Sequence, residues 1–295
     1  MKKLISAYIL GICLLALPLQ AQSSLESLLE RFTGPNGKGY FQPLVTAFGA
    51  NLNSGWFYTA KVPVSGLHIL FRANGNAAFF SEEQRYFEAT TEGLFIPPQK
   101  VKTPTIIGPG EGTAVTGEGG AVYQFVGGYD MKSLAAVSPT ITIGSLWGTE
   151  LSIRYFTLRI NDDIGRLKLA GAGIRHTLNA YFPEMPVDLT FGMAFQRFEL
   201  GDVFATRLYF YHAEVGKSAS VFDFYGGMGI EASSADLTYT FEINDESSDV
   251  DLSMEGENKF RVFAGLAINL AILHLNVDYN IGKQQLLNVG VTLGL

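Results

Sequence analysis

The sequence predicts an all-β protein, a transmembrane antiparallel β-barrel of about 14 strands, with about 12 strands as the alternative. Three observations support this fold: an N-terminus that resembles an export signal, an apolar composition without a spanning helix, and long stretches of alternating apolar and polar residues. Hydrophobic residues make up 47% of the 295-residue chain, yet no apolar run of ~18 residues follows residue 20. The 33 glycines, 13 tyrosines and 22 phenylalanines also suit a barrel with aromatic belts.

Residues 1–21 are predicted to be a signal peptide. Lys2 and Lys3 form its basic start, residues 4–17 are apolar, and Ala21 precedes the expected cleavage point. The only cysteine of the chain, Cys13, lies inside this peptide. We therefore expect a mature chain without a disulfide, a thiolate metal site or a cysteine nucleophile.

Residues 22–53 are predicted to form an N-terminal helix followed by a plug or lead-in segment. The helix is expected over 23–32, because its leucines and Phe32 recur at helical spacing. The glycines and proline of 34–37 are expected to end it. The segment 34–56 has neither helical nor strand periodicity. Its apolar side chains favour burial, so it either plugs the barrel lumen or forms a periplasmic lead-in; they include Tyr40, Phe41, Leu44, Val45 and Phe48.

Residues 54–295 are predicted to form the barrel itself. Alternation is clearest near the C-terminus, where the odd positions of 273–281 are apolar and the even ones polar. Because successive side chains of a strand point to opposite faces, such a strand has one oily face and one polar face. The chain ends inside an apolar strand, which barrel-assembly machinery generally reads, although Leu295 replaces the usual Phe. The predicted strands are 54–62, 66–80, 84–96, 120–128, 138–145, 149–160, 166–179, 187–199, 203–216, 220–231, 235–243, 259–270, 272–281 and 285–295.

Two long connections, 97–119 and 244–258, interrupt these strands. Three predicted strands precede the first connection and three follow the second. If both termini are periplasmic, an odd number of crossings places both connections outside the cell. The second connection is acidic and is interpreted as a solvated loop, with bound divalent cations as the alternative.

Few residues of the sequence suggest chemistry. The four histidines, His68, His176, His212 and His274, show no zinc-binding spacing. His274, Asn276 and Asp278 share the polar face of one strand, and together with Tyr40, Phe41 and Phe48 they are predicted to line the lumen or bind a ligand. No catalytic residue, metal site or cofactor is predicted, and an enzyme is not expected. The net charge of −7, without a basic cluster, argues against nucleic-acid binding.

The chain resembles a family of uncharacterised outer-membrane proteins of Gram-negative bacteria. The resemblance rests on Gly37-Lys38-Gly39-Tyr40, Pro43-Leu44, Phe48-Gly49-Ala50-Asn51-Leu52-Asn53-Ser54-Gly55-Trp56 and the closing Asn288-Val289-Gly290-Val291-Thr292-Leu293-Gly294-Leu295. It implies the outer membrane and a barrel, but no mechanism. A more distant similarity is to the long-chain fatty-acid transporters, fourteen-stranded barrels with an N-terminal hatch, although this chain is much shorter.

The resulting functional prediction is a porin-like passive channel or transporter for small solutes, apolar ones included. A non-conducting structural or surface-interaction barrel is the alternative, and an outer-membrane enzyme is the third reading. The expected partners are outer-membrane lipid, the barrel-assembly machinery and small solutes.

Overall fold

The computed structural model describes residues 34–92, 95–161, 165–243 and 246–294. In this part of the chain, ten antiparallel strands close into a barrel, because the last strand pairs with the first. With strands numbered along the whole chain, the barrel strands are β1 (His68–Phe79), β6 (Ser133–Leu146), β7 (Thr149–Asn161), β8 (Gly165–Thr177), β9 (Asp188–Leu200), β10 (Phe204–Ala219), β11 (Phe222–Ile243), β13 (Phe260–Leu270), β14 (Leu273–Gly282) and β15 (Gln285–Gly294).

The remaining strands lie at one end of the barrel. Residues 80–132, here called the cap, connect β1 to β6 and contain two short hairpins. Strand β12 pairs with the far half of β11, so that a long hairpin projects from the same end. The cap strands are β2 (Tyr86–Thr90), β3 (Lys100–Pro104), β4 (Ala114–Thr116) and β5 (Val122–Gln124), β12 is Glu246–Glu255, and short 3₁₀ turns cover Glu82–Arg85, Glu118–Gly120 and Leu178–Ala180.

The two faces of the barrel wall differ as the alternation predicts. On β14 the apolar side chains of Leu275, Val277, Tyr279 and Ile281 are exposed outward. The polar side chains between them are buried in the lumen. An apolar exterior with a polar interior is the arrangement of a membrane barrel, whereas a soluble barrel is apolar inside.

One α-helix, α1 (Gly34–Leu52), enters the barrel at the capped end. It contacts strands β1, β2, β6, β10, β11 and β12, and most of its side chains are buried. Gly34 has a φ of +54°, and Pro35 follows it in the first turn, where proline's missing N–H costs nothing. None of the described helices is long and apolar enough to cross a membrane.

After α1 the chain runs through the lumen to the opposite end of the barrel. Thr190 near the start of β9 donates to the carbonyl of Ala60 over 2.7 Å. The N–H of Gly148, in the tight turn between β6 and β7, donates to Val64 over 2.9 Å. Strand β1 then begins at this turn end, beside the end of β15. Residues 34–62, here called the plug, therefore thread the barrel once from the capped end to the turn end.

The strand count of ten corrects the predicted 14 and the alternative 12. Residues 54–62 are not a barrel strand but the part of the plug that follows α1, and almost all of its side chains are buried because the lumen wall surrounds them. The predicted strands 84–96 and 120–128 are short cap strands. Residues 235–243 continue β11 rather than forming a strand of their own. The predicted boundary of the barrel at residue 54 accordingly moves to His68.

Both long connections also differ from their predictions. Most of 244–258 is strand β12 rather than an open acidic loop, and 97–119 contains β3 and β4. One barrel strand precedes the cap and three follow the hairpin, so both connections leave the same end, as an odd number of crossings requires. Gly34 begins a helix instead of ending one. The predicted signal peptide and the predicted helix over 23–32 lie outside the described residues.

Candidate functional site: the plugged lumen and the open seam of the wall

Four buried arginines project into the lumen from four different strands. Each is at most 3% exposed, and each donates to a main-chain carbonyl of the plug. The bonds join Arg72 to Gly55 (3.3 Å), Arg154 to Leu52 (2.8 Å) and Ser54 (2.7 Å), Arg175 to Thr59 (2.6 Å), and Arg261 to Ala50 (3.0 Å). The barrel wall thus grips the backbone of the plug through all four arginines.

The grip is strongest where α1 ends. The last carbonyls of a helix have no partner within the helix and carry the negative end of its dipole. Arg154 and Arg261 supply guanidinium donors to the carbonyls of Leu52 and Ala50. The Trp56 ring also lies flat against Arg154, 3.9 Å from its guanidinium carbon. The inward arginines therefore act as a charged cap for the C-terminus of α1.

Carboxylates compensate two of the four arginines. Arg175 pairs with Glu150 at 3.2 Å and with Glu214 at 2.8 Å, and Arg261 pairs with Glu231. Buried pairs of this kind stabilise little in total, but removing one partner leaves an uncompensated charge in the interior. The pairs therefore make the plugged arrangement costly to take apart.

Two of the histidines belong to this network. The Nε2 atom of His68 lies 3.0 Å from Glu150. The Nδ1 atom of His212 lies 2.9 Å from Glu214, and its ring faces the lumen and stacks on Phe210, with 4.8 Å between the centroids. Its strand position is inward because β10 carries Tyr209 and Tyr211 on the outer face.

The predicted polar row of β14 does face the lumen. Asn276 and Asp278 are buried, and His274, half-buried, bonds through Nδ1 to Asn269 over 2.7 Å. The carboxylate of Asp278 accepts hydrogen bonds from the Tyr225 hydroxyl and from three asparagine amides. Ligand binding by this row stays a prediction.

The predicted aromatic residues of the plug occupy a different region, at the capped end. The Tyr40 hydroxyl donates to the carbonyl of Gly127 in the cap over 2.9 Å, and Phe41 belongs to the same apolar cluster. Phe48 packs edge-on against Phe198 and Phe204, with centroids 4.8 and 5.5 Å away. Tyr40 and Phe41 join the helix to the cap, Phe48 joins it to β9 and β10, and the structure does not bring these side chains to the row on β14.

The plug closes the axis of the barrel. Trp56, Phe57, Ala60 and Val62 are at most 4% exposed, although they lie where an open pore would be filled with water. The arginines and carboxylates around them are equally buried. The described residues therefore leave no continuous aqueous path through the lumen.

Among the described residues, main-chain pairing of neighbouring barrel strands is incomplete at one place, between β6 and β7. Main-chain pairing joins these strands only near the turn end, from Ile141–Ile153 to Leu146–Thr149. Beyond it, residues 133–140 of β6 form no ladder with residues 154–161 of β7 in the described part of the chain, although each stretch pairs with its other neighbour. These two stretches are here called the seam. Pro139 lies in the seam and has no N–H to donate. Across the seam, Arg154 Nε donates to the Thr140 hydroxyl over 3.0 Å.

A narrow apolar cleft lies behind the seam. It holds about 30 Å³ of free volume, roughly enough for one water molecule. Ala135 and Val137 face outward in their strand while Phe156 faces inward, so the cleft passes between the strands and through the wall. All its lining residues are apolar: Phe48, Leu52, Leu134, Ala135, Ala136, Val137, Phe156, Leu167, Leu169 and Phe198.

Sequence reasoning missed both the arginine grip and the seam. A single arginine between two outward apolar residues, as in Ile153-Arg154-Tyr155, marks a charge on the inner face, but nothing local names its partner. Proline is rare inside paired strands, so Pro139 within the predicted strand 138–145 was a usable signal for interrupted pairing.

Comparison with known proteins places the chain in one family. A family described as "Family of unknown function (DUF6588)" matches residues 1–295. No curated protein matches the chain. Its function therefore has to be argued from its own geometry.

Several solved bacterial barrels are similar to the chain at low identity. The N-terminal β-barrel domain of Pseudomonas aeruginosa OprF is 15% identical, covering 50% of this chain and 96% of that chain, with a TM-score of 0.24. Neisserial surface protein A is 12% identical, covering 78% and 99%, with a TM-score of 0.24. A Pseudomonas aeruginosa FadL homologue is 7% identical, covering 77% and 90%, with a TM-score of 0.25.

Proposed function

Because the chain belongs to a family of unknown function, as was predicted from its resemblance, we propose its role from geometry: an outer-membrane barrel closed to ions and hydrophilic solutes along its axis, which admits apolar molecules through its wall. The observation that carries this proposal is the seam between β6 and β7, which opens onto a wholly apolar cleft.

The outer membrane is supported by the surface of the barrel. Large apolar side chains are exposed on nine of the ten barrel strands, all but β8, among them Phe71 on β1, Ile153 on β7 and Phe224 on β11. Such a surface would be an aggregation hazard in water but suits a lipid environment. The predicted signal peptide is consistent with export.

The plug argues against a porin-like axial channel. Opening the axis would break the five arginine bonds to the plug backbone and uncover buried charges. The prediction of a channel for small solutes is therefore restricted to apolar solutes, which would enter through the wall and not along the axis.

The seam offers such a route at low cost. Separating two paired strands inside a membrane leaves unsatisfied N–H and C=O groups, each costing several kcal/mol. At the seam no ladder remains to be broken, so β6 and β7 separate more easily there than other neighbours do. An alkyl chain passing between the bilayer and the cleft exchanges one apolar environment for another, so no hydrophobic penalty opposes its passage.

A photocross-linking experiment tests the proposal. Benzoylphenylalanine is placed at Phe156 in the cleft, or, as a control, at Phe263, which is equally inward but packs against the plug. The protein is irradiated in phospholipid vesicles and lipid adducts are measured by mass spectrometry. We expect acyl-chain adducts at position 156 and none at position 263.

A disulfide bond across the seam provides the second part of this experiment. Extending the register of Ile141–Ile153 pairs position 137 with position 157, so oxidised Val137→Cys/Thr157→Cys should close the seam. Lys168→Cys/Glu199→Cys, on the intact β8–β9 ladder, is the matched control. Only the disulfide across the seam should abolish the lipid adduct at position 156, and reduction of that disulfide should restore the adduct. No adduct at 156, or an adduct indifferent to the lock, would refute lateral entry.

The alternative, a non-conducting surface-interaction barrel, is favoured by one separate observation. The cap and the β11–β12 hairpin together form a large structure at one end, packed on α1 through Tyr40, Phe41, Leu252 and Met254. If no lipid adduct forms and no ions are conducted, this second function accounts for the plugged fold.

A further inference from the structure

Five polar side chains form a compact group on the lumen wall where β1, β15 and β14 are neighbours. Asn74 and Asn276 lie on either side of Gly290, and Asn76 and Asp278 lie on either side of Asn288. This group, Asn74, Asn76, Asn276, Asp278 and Asn288, is here called the amide patch. Each member is at most 4% exposed.

The side-chain nitrogens of all four asparagines in the patch donate hydrogen bonds. Asn74 donates to the carbonyl of Gly55 over 2.9 Å, and Asn76 to that of Asn51 over 3.2 Å. Asn288 donates to Asp278 over 2.6 Å, and Asn276 to the same carboxylate over 3.4 Å. Rotating any of these amides by half a turn would place oxygen against oxygen. The amide orientations are therefore fixed by their acceptors.

The oxygen ends of the same four amides have no donor among the described residues. Two of them converge on one spot, because a methyl group at Gly290 would collide with the side-chain oxygens of both Asn74 and Asn276. A buried acceptor without a partner is costly, so four together call for an explanation. The absence of a side chain at Gly290 is what lets these two oxygens approach each other.

The charge of the patch is also unbalanced. Asp278 forms no ion pair within the described residues. Arg261, the nearest guanidinium, is paired with Glu231. Arg72 donates to Gly55 and Thr142, away from β14. The patch therefore combines four free amide oxygens with one negative charge.

We propose that the amide patch binds one monovalent metal cation, Na⁺ or K⁺, above Gly290, with the side-chain oxygens of Asn74 and Asn276 as ligands. Amide and carboxylate oxygens are hard ligands suited to such ions. A single carboxylate balances one positive charge, which favours a monovalent ion over Ca²⁺. The described residues contain no group of three or more His, Cys, Asp or Glu side chains suited to a metal, so a transition metal is disfavoured.

The bound cation would fasten the plug to the wall. Asn74 and Asn76 hold the plug carbonyls of Gly55 and Asn51 with their nitrogens, and the Asn74 oxygen would share the cation with Asn276 on β14. The inference is independent of lateral entry at the seam, which lies between other strands.

Urea unfolding of the full mature protein in detergent tests the stabilisation. At constant ionic strength, NaCl or KCl should raise the unfolding midpoint over choline chloride, with an effect that saturates. Gly290→Ala should abolish this difference, because its methyl group would displace both ligand oxygens. The matched control is Gly75→Ala on β1, where the nearest atom to the new methyl group is 3.9 Å away. Equal cation dependence in wild type and Gly290→Ala would overturn the proposal, as would no dependence in wild type.

Crystals of the wild-type protein in thallium(I) salt give a direct answer that does not depend on a variant's folding. An anomalous peak within bonding distance of the Asn74 and Asn276 oxygens is the expected result. Ordered water alone at that position would overturn the assignment.

Discussion

At the scale of single residues, Arg154 shows how the wall of this barrel holds its plug. It has no carboxylate partner within the described residues, yet it is fully buried. Its donors reach the carbonyls of Leu52 and Ser54, the Gln196 side chain and the Thr140 hydroxyl. A buried cation is held here mainly by backbone dipoles, which is what the C-terminus of α1 provides.

Replacing this arginine should loosen the plug. Arg154→Met keeps the length of the side chain but removes the guanidinium donor to the Ser54 carbonyl. We expect a loss of about 1–3 kcal/mol in the free energy of unfolding, measured from urea midpoints. Arg197→Met is the control, because that guanidinium is half exposed on the outer face. An unchanged midpoint for Arg154→Met would show that the arginine grip contributes nothing.

The inward direction of these residues was predictable, but their partners were not. His274, Asn276 and Asp278 were placed on the polar face from alternation alone, and they do face the lumen. Arg154 and Leu52, in contrast, are 102 residues apart in sequence. No local pattern encodes such a pair, because it arises only when the plug lies inside the closed barrel.

At the scale of elements, strand boundaries were predicted best where apolar and polar residues alternate most strictly. The last three strands were predicted at 259–270, 272–281 and 285–295, close to β13, β14 and β15. Strict alternation there has one cause, an oily outer face against a polar lumen. Residues 54–62 lack strict alternation, since almost all of them are buried inside the closed lumen, and this stretch was wrongly predicted as a barrel strand.

Pro139 provides a test of the seam as an element. Pro139→Val restores the missing N–H and should let β6 pair further with β7. We expect fewer lipid adducts at position 156 and a higher unfolding midpoint. Ser133→Val, in the same part of β6 but outside the cleft lining, changes a side chain without adding a backbone donor and should leave pairing unchanged. If both variants give the wild-type adduct yield, missing pairing at Pro139 is not what keeps the seam open.

At the scale of the whole molecule, the barrel has two unlike ends. The cap and the β11–β12 hairpin lie at one end, and tight turns such as Ser220–Val221 lie at the other, where β15 finishes. If the C-terminal end is periplasmic, as in bacterial barrels generally, the cap faces the outside of the cell.

Cysteine labelling in intact cells checks this orientation. Gly119→Cys in the cap should react with a membrane-impermeant maleimide, because Gly119 is exposed and a methyl group there meets no neighbour. Ser220→Cys, in a turn at the opposite end, should react only after the outer membrane is permeabilised. Labelling with the reverse preference would invert the orientation.

The closed axis predicts the electrical behaviour of the barrel. Wild-type protein in a planar lipid bilayer should show no steady ion conductance. Deleting residues 34–62 should open a conducting lumen in any barrel that still folds, since the plug supplies the side chains that fill it. Steady conductance in the wild type would mean that the plug leaves the lumen in the membrane.

The most direct test of the account as a whole is the yield of acyl-chain adducts at position 156 with the seam locked and unlocked. Acyl-chain adducts are expected when the Val137→Cys/Thr157→Cys pair is reduced and should be lost when it is oxidised. Oxidation of the control pair on the β8–β9 ladder should leave the adduct yield unchanged. Equal yields in the locked and unlocked protein would contradict entry through the wall.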